Sequence, residues 1–408
     1  MKTILLCGNG LSGEVIATIK SWGYRVALIS EFPLDVGTSD ADFFIEANSK
    51  DPEAALCAAR HFVESGVEIN GVISLCWDTA ISVATIATEL GLNSIAITSA
   101  FKATNKDLRS DAFTKHGVPS PKYAVINSYK QLLQKIQNFE FPVVLKPIDQ
   151  SSSKGVIRVD AIGSLGFAYE HCKSFSGRKD IILNEYVVGS EHSTEGLMVD
   201  GDFYMTAISD RVFHYEKYHP FFVEVGDVMP TSLPEDVQRK LYEITREAAL
   251  SLGLTSGVVK GDLIYSARKG VKVLEIAARL GGPRFGTEMV PLSNGTNILQ
   301  AAIQQAVGDE VNMDLLLPKF SRGMVNRSII LDSGVVLSIS DMSSLKKCEG
   351  FYSFKWWGDE VKVGDEIPMI QYGSGGVAYI IAVGSTRTKA IENADRIERS
   401  IKINTGPR

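Results

Sequence analysis

The chain of 408 residues is longer than one ordinary hydrophobic core accommodates, so its length predicts two or three domains. Its 45% of apolar and 22% of charged residues are typical of a soluble globular protein. The net charge of −6 and the lack of lysine- and arginine-rich runs argue against nucleic acid or an anionic membrane as a partner.

The start of the chain and its cysteines favour a cytoplasmic protein. The first apolar run, TILLC, stops at Cys7 and is shorter than the core of a signal peptide. No apolar run approaches the ~18 residues that a membrane span needs. The five cysteines are scattered without a C-x-x-C motif, which indicates reduced thiols. The six histidines show no metal-ligand spacing such as H-E-x-x-H.

The first hundred residues alternate short apolar runs with helical patterns, which predicts a parallel sheet. The predicted strands are TILLC (3–7), RVALIS (25–30) and GVISLC (71–76), and the predicted helices are 13–22, 52–65 and 78–90. The loop GNGLSG (8–13) fits G-x-G-x-x-G, and Glu31 follows the second strand, which is one pattern of dinucleotide binding. A tight strand–helix turn that accepts another anion is the alternative.

The rest of the chain mixes strands and helices. Residues 114–126 read as a connector with two prolines followed by a strand. The further predicted elements are the helix 131–139, the strands FPVVLKP (141–147) and IILNEYV (181–187), the helix 234–253, the hairpin strands 258–266 and 271–279, and the helices 297–308 and 386–401. Between the last two helices, short glycine-rich strands are expected.

The hairpin carries the clearest chemical pattern. If its turn is centred between Arg268 and Lys269, Asp262 and Glu275 lie opposite each other with Cβ atoms ~5 Å apart. Two such carboxylates in apolar strands would not both stay ionised unless a cation lies between them, and Mg²⁺ suits oxygen ligands and phosphates. Arg279, two pleats beyond, is placed to grip a phosphate oxygen. A surface hairpin in which Arg279 pairs with Glu275 is the alternative.

A lysine and a loop of small residues form a second candidate site. Lys146 ends the strand FPVVLKP, and Ser151, Ser152, Ser153 and Gly155 follow it. Their hydroxyls and backbone N–H groups can cradle phosphates, although the Walker A spacing is absent. A solvated strand end followed by a flexible linker is the alternative.

The stretch NEYVVGSEHSTEG (184–196) predicts a hinge between two lobes, because a strand and a short bend precede two glutamates. Glu185 and the backbone after it are candidates to contact the edge of an adenine, and Glu191 is a candidate to accept hydrogen bonds from ribose hydroxyls. Acidic residues near a turn are also ordinary surface features.

Taken in order, these pieces resemble the ATP-grasp superfamily of carboxylate–amine ligases. The resemblance rests on Lys106 in ATNKDLRSDAFTKHGVPSP, Lys146 in FPVVLKP, the loop SSSKG, the NEYVVGSE hinge, Asp262 and LEIAARLGG. It implies an α/β and α+β multidomain fold. The implied parts are a Rossmann-like domain (1–104), an ATP-grasp domain (105–319, with a small lid lobe at about 120–188 and a large lobe at about 189–319) and a β-rich domain (320–408) that completes the large lobe.

The resemblance also implies roles for single residues. The residues that would bind ATP are Lys106, Lys146, Ser151, Ser152, Ser153, Gly155, Glu185, Tyr186, Val188 and Glu191. Asp262 and Glu275 would hold Mg²⁺ or Mn²⁺, and Arg279, with Lys146, would stabilise the transferring phosphoryl group. The family often reads E-I-N-x-R, but Ala277 replaces the asparagine here, which puts the affinity of a second metal ion in question. The loop also lacks the usual double glycine.

Within the superfamily, the layout is most similar to the L-amino acid ligases that make dipeptides. ATP phosphorylates a carboxylate, and an amine then attacks the acyl phosphate while a closed lid excludes water. The implied partners are small acids and amines, with a homodimer implied by family likeness. Asp78, Glu195 and Arg284 are candidate substrate contacts; Trp77 and Asp78 follow a strand at the end where open α/β sheets bind ligands.

Three alternatives stay open at this stage. One is a biotin carboxylase-like or purine-biosynthesis enzyme that uses bicarbonate or formate. Another is a nicotinamide-dependent oxidoreductase built on GNGLSG, which leaves Asp262, Glu275 and Arg279 without a role. The third is a nucleotide-binding regulator without turnover, which Ala277 favours.

Overall fold

The computed structural model describes residues 1–8, 13–32, 38–282, 284–373 and 376–407. The described residues form four β-sheets with flanking helices, which confirms the predicted mixed α/β and α+β fold. Residues 9–12, the centre of the GNGLSG loop, lie outside the described residues.

The N-terminal sheet is parallel and has the strand order β3–β2–β1–β4. Its strands are β1 (Thr3–Cys7), β2 (Arg25–Ser30), β3 (Phe43–Glu46) and β4 (Gly71–Ile73). The helices of this part are α1 (Gly13–Ser21), α2 (Pro52–Glu64), α3 (Ala80–Glu89), α4 (Ile97–Thr104) and α5 (Lys106–Lys115). Successive residues of β1 point to opposite faces, so Ile4 and Leu5 enter separate buried clusters and the sheet is covered on both sides.

A small antiparallel sheet follows, with the strand order β5–β8–β6–β7. Its elements are β5 (Tyr123–Ile126), α6 (Tyr129–Lys135), β6 (Val143–Pro147), β7 (Ile157–Val159), α7 (Leu165–Phe175) and β8 (Ile181–Glu185). Leu132 of α6 and Leu165 of α7 are buried in one core on this sheet. The loop from β6 to β7 therefore leaves a well-packed base.

The largest sheet is antiparallel and has eight strands in the order β13–β12–β9–β10–β11–β14–β18–β16. The strands of the second half of the chain are β9 (Ser190–Val199), β10 (Asp202–Phe213), β11 (Glu224–Met229), β12 (Gly257–Ser266), β13 (Gly270–Ala277), β14 (Gly323–Ile329), β15 (Gly334–Ile339), β16 (Phe351–Trp356), β17 (Glu366–Ile367), β18 (Ala378–Gly384) and β19 (Ile403–Gly406). The helices are α8 (Tyr215–Tyr218), α9 (Glu235–Ser251), α10 (Val290–Asn294), α11 (Ile298–Ala306) and α12 (Arg387–Ser400).

Three strands from the C-terminal part, β14, β16 and β18, complete this large sheet, and β15, β17 and β19 form a separate small one. We keep the division at residues 104 and 319 as a proposal, in which the last part of the chain completes the large lobe.

The two faces of the large sheet differ in chemistry. Asp262 of β12 lies directly across from Ser193 of β9, so both side chains share one face. Val259 and Leu263 point to the other face and are buried together with residues of α9. One face is therefore apolar and covered by a helix, and the other is free to line a polar site.

The hairpin of β12 and β13 pairs Asp262 with Glu275, as predicted, but the position of the turn and the register of the strands near it differ from the prediction. Near the turn the pairing is Ser266 with Gly270, so the turn is centred on Arg268 rather than after it. A β-bulge at Leu274 inserts one extra residue and brings Glu275 back opposite Asp262.

Among the described helices, none combines the length and the apolar character that crossing a bilayer requires. All five cysteines lie in described parts of the chain, and none of them forms a disulfide.

Candidate active site

A cavity of about 570 Å³ lies between the small sheet, the polar face of the large sheet and the loop after β4. This volume falls within the ~300–1,000 Å³ of typical small-molecule sites. Most of the predicted site residues line it, namely Trp77, Asp78, Lys106, Lys146, Ser151, Ser152, Ser153, Glu185, Tyr186, Glu191, Asp262, Glu275 and Arg279. Residues that are distant in sequence thus meet in one cleft.

The carboxylates of Asp262 and Glu275 are surrounded by cations. Asp262 accepts a hydrogen bond from Ser193 Oγ at 2.9 Å, contacts the Lys260 ammonium, and has Nη1 of Arg211 at 3.4 Å. Nη2 of Arg109 lies 3.4 Å from Glu275 Oε2. The charges of the two acids are therefore compensated by cations of the protein.

The charges that face these acids decide their ionisation. Burial would raise the pKa of Asp262, but Arg211 and Lys260 lower it by more, so its pKa is below the usual value. Burial would also raise the pKa of Glu275, and Arg109 and Lys106 again more than offset this. Both side chains are consequently carboxylates near neutral pH, the form that binds a divalent cation.

The donor set fits one small divalent ion. Asp262 and Glu275 share a face of the hairpin and both line the cavity, whereas Ala277 supplies no oxygen. Among the described residues, no group of three or more His, Cys, Asp or Glu side chains is placed to hold a metal. Two carboxylates with phosphate oxygens and water suit Mg²⁺, which rarely uses an all-protein cage.

Two half-buried lysines, Lys106 and Lys146, interact electrostatically with Glu275 of this pair. Lys106 Nζ donates to the carbonyl of Gln150 in the loop after β6. Burial and the neighbouring Lys106 lower the pKa of Lys146 to about 8, although Glu275 raises it in part. Two close lysines whose charges are mutually unfavourable are ready to bind an anion such as a triphosphate.

The loop between β6 and β7 brings serines, but not its glycine, to the cavity. Ser152 and Ser153 have left-handed backbones, with φ of 55° and 59°, an uncommon conformation that side chains other than glycine adopt at a cost. Gly155, with φ of 71°, packs away from the cavity, and a Cβ there would lie 2.7 Å from Pro147. Gly155 thus allows close packing of the loop base and does not line the cavity, and its predicted role in ATP binding stays a prediction.

At the hinge, Glu185 joins the small sheet to the hairpin. Its carboxylate accepts from Lys269 at 2.5 Å and from Lys272 at 3.1 Å. Burial would raise the pKa of Glu185, but these lysines and the N–H of Lys122 bring it down to about 2. Tyr186, the next residue, also lines the cavity, with Arg158 stacked on its ring at 4.5 Å.

The predicted ribose contact, Glu191, lies on the cavity floor. It accepts from Nη1 of Arg211 at 3.0 Å and from the hydroxyl of Tyr215 at 2.7 Å. Burial raises its pKa, and Arg211 lowers it in part. The carboxylate is thus fixed in orientation while it still faces the cavity.

Arg279 is held by the N-terminal part of the chain. Its Nε donates to Oδ1 of Asp78 at 2.6 Å, and its Nη1 donates to the carbonyl of Leu280. The surface hairpin in which Arg279 pairs with Glu275 is therefore not what the structure contains. The predicted substrate residue Asp78 and the predicted catalytic residue Arg279 instead meet in the cavity wall.

Three other predicted contacts do not line the cavity, and their predicted roles in binding stay predictions. Val188 is 72% exposed, beyond the hinge. Glu195 is fully buried and accepts from the N–H of Gly281 at 2.5 Å. Arg284 is buried beside Glu288, with Nε 2.6 Å from its carboxylate. Glu195 and Arg284 therefore make their contacts with the segment after β13 within the protein.

Sequence reasoning missed several charged residues of the site: Arg109, Arg211 and Lys260. The available signal was a charged residue between apolar ones in a predicted element, as with Arg211 in ISDRVF. That pattern does not say which face the side chain takes, because the register of the sheet decides it.

The structure also contains a serine, histidine and aspartate chain that the sequence did not reveal. Ser190 Oγ lies 2.7 Å from Nε2 of His192, and Nδ1 of His192 lies 2.9 Å from Asp210. His192 points to the face opposite its neighbour Glu191, so the chain does not line the cavity. Asp210 also accepts from Ser232 and pairs with Arg387, which makes it a structural anchor.

Comparison with known proteins places this geometry in context. Residues 139–287 match a protein family described as the ATP-grasp domain. Alanine–anticapsin ligase from Bacillus subtilis is 26% identical over 215 residues, and phosphoribosylamine–glycine ligase from Lactococcus lactis subsp. lactis (strain IL1403) is 26% identical over 239 residues. The matches cover 47% and 54% of this chain.

The chain spans about half the length of these curated relatives, 44% and 55% respectively. Among solved structures, an L-amino acid ligase from Bacillus licheniformis superposes with a TM-score of 0.83 and 20% identity. That superposition covers 100% of this chain and 99% of the other, so the two share a fold over their whole length.

Proposed function

Because the chain carries an ATP-grasp domain, we propose that it is an ATP- and Mg²⁺-dependent carboxylate–amine ligase that works through an acyl phosphate. The observation that carries the proposal is the pairing of Asp262 with Glu275 in the same cavity as Arg279, Lys106 and Lys146. Two acids suited to one divalent ion and three cations form a site for a triphosphate and its transfer.

The proposed reaction has two balanced steps. A carboxylate oxygen attacks the γ-phosphorus of ATP and forms the acyl phosphate. The bond between the γ-phosphorus and the bridging oxygen of the β-phosphate breaks, and ADP leaves. An amine nitrogen then attacks the acyl carbon, inorganic phosphate leaves, and the nitrogen loses a proton to give the amide. Neither step needs a covalent enzyme nucleophile.

The residues of this chain bind and orient the reactants. Lys106 and Lys146 neutralise phosphate oxygens, and Arg279, fixed by Asp78, faces the group in transfer. Asp262 and Glu275 would hold Mg²⁺, which when bound would offset negative charge on the phosphates. The loop 151–154 lines the cavity from the small sheet and would limit the access of water.

The finer proposal is that the carboxylate belongs to an L-amino acid or a similar small acid, and that the product is a dipeptide-type amide. The fold shared with an L-amino acid ligase and the alanine-ligating relative support this choice.

A phosphate-release assay with pairs of amino acids tests the proposal. We expect ADP and phosphate to form only when both an acid and an amine are present, and mass spectrometry to detect the amide. Turnover with bicarbonate or formate in place of an amino acid would support the purine-type alternative. Tight ATP binding without turnover would indicate a regulator, and turnover of NADH would indicate an oxidoreductase.

A further inference from the structure

The cavity floor continues beyond the metal-binding pair, across strands β10, β11 and β14. Arg211, Asp227 and Asn326 lie directly opposite one another in this row, and all three line the cavity. Cross-strand neighbours share a face of the sheet, so these side chains form one continuous surface.

Asp227 has no counter-ion on this surface. Nε and Nη2 of Arg211 donate to Glu224 at 2.9 and 2.5 Å, and its Nη1 donates to Glu191. Asp227 accepts from Ser209 Oγ at 2.7 Å, and no cation of the described residues forms an ion pair with it. A carboxylate is thus left facing the cavity while the adjacent guanidinium contacts three other acids, Glu191, Glu224 and Asp262.

Electrostatics agree with this geometry. Burial raises the pKa of Asp227, and the nearby Glu224 raises it further, whereas Arg211 and Lys260 lower it only in part. A positively charged group of a ligand would stabilise the ionised form of Asp227, because it would serve as the ion-pair partner that the described residues lack.

Asn326 provides an independent observation. The residue is only 7% exposed, and its Oδ1 has no hydrogen-bond partner among the described residues. Buried polar atoms are nearly always paired, so an unpaired acceptor beside an uncompensated carboxylate points to a ligand that donates hydrogen bonds.

We propose that Asp227 and Asn326 bind a positively charged nitrogen of the substrate, an ammonium or guanidinium group. The strand of Asp227 lies three positions from that of Asp262, roughly 14 Å at ~4.8 Å per strand. The bound nitrogen is therefore away from the metal-binding pair and is not the one that reacts. The substrate class is an amino acid with a basic side chain or a diamine; calling it a substrate rests on the proposed ligase function.

Paired ligands that differ by one charged group test the inference. Calorimetry with Mg²⁺ and a non-hydrolysable ATP analogue compares lysine with norleucine, which lacks only the ε-ammonium, and ornithine with norvaline. Arginine and cadaverine complete the set of cationic probes. We expect at least one cationic ligand to bind 10-fold or more tightly than its neutral partner or, for the unpaired probes, than norleucine.

Asp227→Asn keeps the size of the side chain and the hydrogen bond that Ser209 donates, and it removes the negative charge. We therefore expect the affinities for the cationic ligand and its neutral partner to differ by no more than about 2-fold in this variant. Asp332→Asn makes the same change on a side chain that is 88% exposed, and it should leave the preference intact. Asn326→Asp, which adds a second carboxylate, should increase the preference and serves if Asp227→Asn does not fold.

Two results would overturn the inference: no cationic probe binds preferentially in the wild type, or the preference persists in Asp227→Asn. The phosphate-release assay separates this outcome from failure of the ligase proposal. Turnover with neutral amino acids alone leaves a ligase without a cation site. Selective cation binding without any turnover would support the cation site and contradict the ligase proposal.

Discussion

The guanidinium of Arg279 donates a 2.6 Å hydrogen bond to Asp78, 201 residues earlier in the chain. This contact fixes the end of the hairpin against the loop after β4. Burial would raise the pKa of Asp78, but Arg279 lowers it by more, so the pair is ionised. We infer that Asp78 holds Arg279 in the position that phosphoryl transfer needs.

Asp78→Asn should therefore lower kcat about 10- to 100-fold and change the KM for ATP little, because a small misplacement of a positioned group is costly. Steady-state phosphate release measures both constants. Combining it with Arg279→Lys gives a double-mutant cycle, in which the second change should add little to the first. Fully additive losses would show that Asp78 acts without Arg279.

Metal binding should depend on both facing carboxylates. Asp262→Asn and Glu275→Gln each remove one charged oxygen ligand, so we expect each to weaken Mn²⁺ binding in the presence of ADP at least 10-fold and to abolish turnover. Electron paramagnetic resonance measures free Mn²⁺ directly, and circular dichroism checks that the variants fold. Glu310→Gln, an exposed site, is the matched control. Wild-type metal affinity in Glu275→Gln would contradict the assignment.

The affinity for nucleotide should fall as the pH rises past 8. Burial lowers the pKa of Lys146 to about 8, so its ammonium is present below that pH and is lost above it. Because phosphate binding needs the charge, the Kd of a non-hydrolysable ATP analogue should increase between pH 7 and pH 9. Lys146→Arg stays charged over this range and should show a flatter profile. Equal slopes for both proteins would assign the titration to another group.

The elements that the sequence predicted well have strong local patterns. Helix α9 (Glu235–Ser251) has a proline before it, a glycine after it and a regular apolar stripe. Strand β3 and helix α7 were not predicted. The first has only four residues of intermediate burial or exposure, and the second contains a glycine and three aromatic residues that weaken a helical pattern.

The residues of the site also divide into those that local sequence patterns predict and those that they do not. Asp262, Glu275 and Arg279 were predictable because one hairpin carries all three, although the bulge at Leu274 was not. Asp227 and Asn326 were not found, since their common face follows from strands that are distant in sequence. Local patterns identify reactive residue types, whereas the sheet register decides which of them meet.

Because Glu195 is buried, we expect the difference in stability between the wild type and Glu195→Gln to depend on pH. Burial raises its pKa from the usual 4.5 to about 7, and the N–H of Gly281, Lys260 and Arg279 offset this only in part. A raised pKa in the folded state means that the stability contribution is complete below pH 4.5 and is lost as the pH rises through 7. The cost of burying the charged form above pH 7 is at most about 3 kcal/mol, at ~1.4 kcal/mol per pH unit. Glu195→Gln cannot ionise, so its thermal midpoint relative to wild type should rise by a few degrees from pH 5 to pH 8, as differential scanning fluorimetry would show. With Glu310→Gln as the control, an unchanged difference between the two pH values would mean that Glu195 does not titrate in this range.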